Sequence, residues 1–302
     1  LDDGEWERES NREKEKLEIG KYNLEGLVNE KRIKIYMLKA QGLNDISEHR
    51  ILKYYEQAVE LIFEYDLDLE FAMEYVDFLW KQRSFEKGTE ICERIYYILQ
   101  KSDVNKEYIY LRVLNFLGMF YKSTNRYVEA EEKYREVLRI CRELSEKNRN
   151  AYIDDVATIC DNLGILYQAT IRYKEAEEEH QEALEIYREL SKTNRSAYIS
   201  DVARSCNNLG TLYQTTERYE EAEEKYKEAL EIRRELSKDS SNAHLEDLAK
   251  CYDHLGEIYY RKEDFESALL MVEKVLKIFD ELKIMKPYVY KNEIERLERK
   301  NN

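Results

Sequence analysis

Proline and glycine are nearly missing from this chain, with one Pro and nine Gly in 302 residues. Tight β-turns draw on both, Pro because it fixes φ and Gly because it reaches the left-handed region. A sheet protein with frequent hairpins is therefore excluded, and a mostly helical one is expected. Histidine is scarce too. Its four copies, His49, His180, His244 and His254, are scattered. No HExxH, nucleophile elbow, phosphate-binding loop or dinucleotide fingerprint occurs, so the chain is expected to be no enzyme and to use no cofactor and no metal. No stretch approaches the roughly 18 apolar residues a membrane-crossing helix needs. Basic charge is in deficit, 49 Lys and Arg against 64 Asp and Glu, for a formal net charge of −15. A phosphate backbone selects basic surfaces. Neither nucleic acid nor membrane is an expected partner.

Cysteine lacks a pattern rather than copies. Cys92, Cys141, Cys160, Cys206 and Cys251 are odd in number and show no CxxC spacing. That usage suits reduced thiols buried as small apolar residues, and a cytoplasmic setting.

What the chain does have is a period. Near copies of the stretch from Ala197 to Tyr213 lie on both sides of it, and its Leu-Gly pair recurs as Leu117-Gly118, Leu163-Gly164, Leu209-Gly210 and Leu255-Gly256, at intervals of 46 residues. A fixed period of this length marks an array in which each repeat packs mainly on its neighbours. Each clear repeat divides into two helices. Asn150, Ser196 and Asn242 are expected to cap the first helices, and an aromatic (Tyr127, Tyr173, Tyr219, Phe265) opens the second. In the second helices apolar residues recur three or four apart with acids and bases between, such as Glu221 and Lys225, so one face is core and the other solvent. Gly inside a helix costs about 0.5–1 kcal/mol relative to Ala. Four of them at one phase imply close helix approach, with Ala130, Ala176, Ala222 and Ala268 as the small surface opposite and Tyr121, Tyr167, Tyr213 and Tyr259 filling the adjacent groove.

These features divide the chain. Residues 1–30, dense in charge, read as a linker or capping helix; 31–104 as divergent helix pairs; 105–285 as four clear repeats; and 286–302, after Pro287, as a C-terminal capping helix. The start at Leu1 suggests part of a larger protein.

The set Leu209, Gly210, Tyr213, Tyr219, Ala222, Tyr226 and Ala229 resembles the tetratricopeptide repeat. Cys206-Asn207-Asn208-Leu209 with the long period is similar to the variety found in kinesin light chains and in bacterial and archaeal signalling proteins. His180 departs from the pattern at the second-helix aromatic, and Val137 and Val275 at the second Ala. The resemblance implies an all-α fold, a right-handed α-solenoid of antiparallel helix pairs, and a concave groove lined by first helices whose Asn side chains bond a peptide backbone. Carried onto this chain, it places Asn162 and Asn208 in the groove, with Asn115 and Asn207 one position earlier. Phe116 and His254 stand where the outer repeats would carry the key Asn. Neighbouring phases add Arg112, Lys122, Gln168, Arg204, Gln214 and Lys250.

The function implied is a protein- or peptide-binding scaffold or sensor without chemistry of its own, within a multidomain signalling protein. The basic groove members suit a partner with an acidic or C-terminal carboxylate feature. Two alternatives stay open: a regulatory segment of an enzyme or effector whose catalytic domain lies elsewhere, and a self-assembling scaffold, since homo-oligomerisation is compatible with the sequence.

Overall fold

The computed structural model describes residues 48–65, 69–101, 107–239 and 243–285. The expectations for 1–30 and 286–302 lie outside these residues. Eleven helices occur among them: α1 Glu48–Tyr65, α2 Leu69–Lys81, α3 Phe85–Lys101, α4 Glu107–Ser123, α5 Tyr127–Lys147, α6 Arg149–Ala169, α7 Tyr173–Thr193, α8 Arg195–Thr215, α9 Tyr219–Asp239, α10 Ala243–Arg261 and α11 Phe265–Met285. No strand occurs among the described residues.

The chain groups into two compact units, Leu1–Asn125 and Arg126–Asn302. In the first, α1, α2, α3 and α4 pack in succession, and α2 also meets α4. Its core is aromatic at one end, where Tyr55 stacks on Phe71 and Tyr75 at 5.4 and 5.2 Å. In the second unit each helix from α5 to α11 packs on the next, and α6 also meets α8. This is the stacking of helix pairs that defines an α-solenoid.

The turn within each repeat is built without glycine. Arg83, Asn125, Ile171, Glu217 and Glu263 all have positive φ, between 56° and 63°. Around Ile171 the N–H of Arg172 donates to Tyr167 O at 2.8 Å and that of Ile171 to Gln168 O at 3.2 Å, the paired bonds of a Schellman motif. The same bonds recur around Glu217, from Arg218 to Tyr213 O and from Glu217 to Gln214 O.

The expected N-caps sit two residues too late. Helices α6 and α8 open at Arg149 and Arg195, and the extended residues before them are Asn148 and Asn194. Only Asn194 caps with its side chain, accepting from Ala197 N at 3.3 Å. The reason lies in the connection: the N–H of each Asn also closes the preceding helix, onto Leu144 O and Leu190 O. One residue ends a helix and begins the next. Asn242 lies outside the described residues.

Close approach holds at Gly164 and Gly210, where the group opposite is an aromatic rather than the alanine, whereas Gly256 faces Met271 Cβ at 3.3 Å and the backbone oxygen of Ala268 at 3.7 Å. A Cβ on Gly210 would stand 2.6 Å from the Tyr226 ring, and one on Gly164 2.6 Å from the His180 ring. The alanines Ala176 and Ala222 are fully buried beside them.

Charge ties the repeats together. Arg172 reaches back to Glu131 at 2.8 Å, bonds Glu175 at 2.9 Å and lies over the Tyr167 ring at 4.2 Å. Arg218 repeats this with Glu177, Glu221 and Tyr213. Successive second helices are bridged by Arg142–Glu182 and Arg188–Glu228 at 2.8 and 2.6 Å. Exposed pairs contribute only about 0–1 kcal/mol each, so these links set register more than stability.

Candidate ligand-binding surface

First helices of neighbouring repeats lie side by side in the second unit, and their polar residues divide into struts and free groups. Gln168 donates to Thr215 at 3.3 Å, across from α6 to α8. Asn207 is held by Cys251 on α10, with an Nδ2–Sγ distance of 3.6 Å. Gln214 Oε1 accepts from Tyr226 OH at 2.9 Å within its own repeat. His254 is stacked flat on Tyr226, with centroids 4.8 Å apart and planes 2° from parallel, and burial holds its pKa below the ordinary value. Asn162 is half-buried and engaged. Asn208 is half-buried and has no hydrogen-bond partner among the described residues.

The basic members are mostly satisfied already. Arg204 bonds Asp201 at 2.9 Å and donates to Tyr187 OH at 3.0 Å, and Lys250 pairs with Asp247 at 3.1 Å. In the first unit Arg112 bonds Asp77 at 2.8 Å, and Asn115 is engaged. Lys122 differs. It is half-buried, no carboxylate pairs with it among the described residues, and burial lowers its pKa. An ammonium in that setting favours an anionic contact.

A buried polar cluster lies beneath this surface and was invisible to motif reading. Asp161 Oδ1 accepts from His180 Nδ1 at 3.0 Å and Oδ2 accepts from Ser205 Oγ at 2.7 Å. His180 and Ser205 are fully buried. Serine, histidine and aspartate are thus together, but in the wrong order for acyl transfer. A nucleophilic serine must give its proton to histidine, whereas here the carboxylate stands between the two. The signal available in the sequence was a coincidence of departures: Asp161 stands where Asn115 and Asn207 stand in other repeats, in the same repeat in which His180 replaces an aromatic.

Cys160, Glu179 and Glu182 bring a sulfur and two carboxylates within 4.8 Å of one another. Burial pushes the Cys160 thiol up, and Arg142 already holds Glu182.

Glycine-notched helix pairs, stacked in register and joined by short turns, define a helical repeat protein whose side-by-side first helices offer an interaction surface. The family model for the tetratricopeptide repeat matches residues 109–189, 154–235 and 201–281, more than half of the chain. The chain belongs to the tetratricopeptide repeat family, whose solenoids typically serve interaction rather than catalysis. Among solved structures it is similar to BtubC (BKLC) from P. vanneervenii, at 22% identity and a TM-score of 0.56 over 84% of this chain and 92% of that one. It is also similar to a putative kinesin light chain with nearly identical repeats from Podosopora anserina, at 20% identity and a TM-score of 0.54 over 71% and 96%. At these identities the likeness concerns the fold. No curated protein matches the sequence. No described helix is long and apolar enough to cross a membrane.

Proposed function

We propose that this chain is a non-catalytic scaffold or sensor that holds a protein or peptide along the surface of its first helices. In this reading it works in the cytoplasm as one part of a larger signalling protein. The observation that carries the reading is Asn208, a half-buried amide without a hydrogen-bond partner among the described residues, on a surface where Gln168, Asn207 and Gln214 are all bonded. An amide offers a donor and an acceptor together, which is what an extended peptide backbone requires. Asn162 stands one period before it. In the first unit, taken by itself, Lys122 supports the finer preference for an acidic or C-terminal carboxylate feature, because it alone of the basic candidates lacks a described counter-ion. Arg112, Arg204 and Lys250 give that preference less support, since each is already paired.

The test is selection from a displayed peptide library, followed by affinity measurement on wild type and on the Asn162→Ala, Asn208→Ala double variant. The variant keeps its helix content and binds selected peptides about tenfold more weakly, ~1.4 kcal/mol. Equal affinity for the same peptides moves the contact off the first helices.

A further inference from the structure

We infer that Cys160, Glu179 and Glu182 hold one divalent metal ion of the zinc class, which ties α6 to α7 inside the second unit. This runs against the expectation from motifs that the chain uses no metal, and it rests on equivalent positions in successive repeats. Residue 179 is where the array changes sign. One period before it stands Lys133 and one period after it Lys225. Each pairs with the glutamate three residues on, Lys133 with Glu136 at 3.1 Å and Lys225 with Glu228 at 3.9 Å. In the repeat between them the same two positions are Glu179 and Glu182. Two carboxylates one helical turn apart repel, where the flanking repeats have an ion pair.

Nothing nearby compensates Glu179. It has no ion-pair partner among the described residues, because Arg135, Arg139 and Arg142, which line a cavity with it, pair with Glu131, Glu143 and Glu182. Its Oε2 atom is buried and accepts no hydrogen bond among the described residues. A carboxylate oxygen in that setting calls for a cation. The thiol decides which kind. Cys160 is fully buried, and its sulfur lies within 4.8 Å of an oxygen from each glutamate. Cys206, one period later, has Glu228, Arg188 and Lys225 around it, one acid against two bases, and so gains nothing from an added cation. Sulfur together with carboxylate oxygen suits zinc, which takes both, better than calcium or magnesium, which take oxygen alone.

The geometry closes with little movement. Ligand atoms on tetrahedral zinc lie about 3.4–3.6 Å apart at the usual bond lengths, so shifts of about 1 Å or less in two flexible glutamate side chains complete the set. Binding releases the Cys160 proton to water, because the ligand is the thiolate. The thiolate and two carboxylates then set three negative charges against the one positive charge of Arg142, and a divalent ion cancels the difference. Arg142 Nη2 keeps both oxygens of Glu182 within 2.9 Å. It becomes the outer partner that orients a ligating carboxylate, whose remaining lone pairs serve the ion. The cavity beside Glu179, of about 470 Å³, leaves room for a water as fourth ligand.

The test titrates the metal-free full chain with Zn²⁺, followed by calorimetry, and with Co²⁺, followed by absorption. One Zn²⁺ binds per chain and raises the melting temperature. Co²⁺ at the same site gives a thiolate-to-cobalt charge-transfer band in the near ultraviolet, lost in Cys160→Ser and kept in Cys206→Ser. Glu179→Lys restores the residue of both flanking repeats and so preserves the fold. It weakens Zn²⁺ binding by at least about a hundredfold, the upper end of what loss of even an outer partner costs. A wild-type chain without the cobalt band overturns the proposal, as does a band that survives Cys160→Ser. So does a Zn²⁺ affinity that Glu179→Lys leaves unchanged, the sign of an ion held by surface carboxylates such as Glu143 and Glu146.

Discussion

The imidazole of His180 fills the space over Gly164, where a Cβ would stand 2.6 Å from its Cε1 atom, and the same ring holds Asp161 through Nδ1 at 3.0 Å. One side chain thus completes the helix contact that Tyr226 completes over Gly210 and also anchors a buried carboxylate.

Asp161→Ala leaves His180 and Ser205 buried without their shared acceptor. A buried donor left without its acceptor costs about 1–3 kcal/mol, so chemical denaturation of the variant shows an earlier midpoint. Restoring the residues of the sister repeat, Asp161→Asn with His180→Tyr, recovers most of that loss. A double variant no more stable than Asp161→Ala would refute the pairing.

The two glycines Gly210 and Gly256 respond to an added methyl group to different degrees. Gly210→Ala drives a methyl into the Tyr226 ring and destabilises by about 1–3 kcal/mol through overpacking. Gly256→Ala meets Met271 Cβ at 3.3 Å and Ala268 O at 3.7 Å, a milder crowding that the helix propensity of Ala, about 0.5–1 kcal/mol, offsets, so its unfolding temperature stays above that of Gly210→Ala. Thermal unfolding of the two variants side by side decides it.

Ile171 is β-branched, 73% exposed and held at φ 62°. The left-handed region costs an ordinary residue about 1–2 kcal/mol, and Asn tolerates it, as Asn125 does at the equivalent turn. Ile171→Asn therefore raises the melting temperature. An unchanged or lower value would show that the Ile side chain earns its place by a contact.

His254 gives the array an acid-sensitive joint. Its folded pKa lies below the ordinary 6.5 because burial against Tyr226 disfavours the charged ring. The neutral ring's contribution is fully present above pH 6.5 and is lost as pH falls toward the folded value. His254→Phe keeps the stack and removes this component, so its stability declines less than wild type between pH 7 and 5. Parallel slopes would contradict it.

The helix pairs were legible in the chain because Leu-Gly, Ala and aromatic positions recur at a constant interval, and packing in a repeat array is set by neighbours of the same sequence. The binding surface was only partly legible. Asn207 and Asn208 are adjacent and chemically identical, yet one is a strut to Cys251 and the other faces outward, a difference fixed by about 100° of helix rotation and by what the next repeat presents. At Gly164 and Gly210 the aromatic-over-glycine contact was misassigned to alanine for a similar reason. Spacing locates residues on a helix face, but ring size decides which of two candidates reaches the notch.

Asn148 and Asn194 each close one helix and open the next, and this leaves no slack between repeats. One residue inserted at Asn194 would shift α8 and α9 against α7 and pull Arg188 and Arg218 away from Glu228 and Glu177 at once. A change of length that keeps these links in place is therefore a whole period.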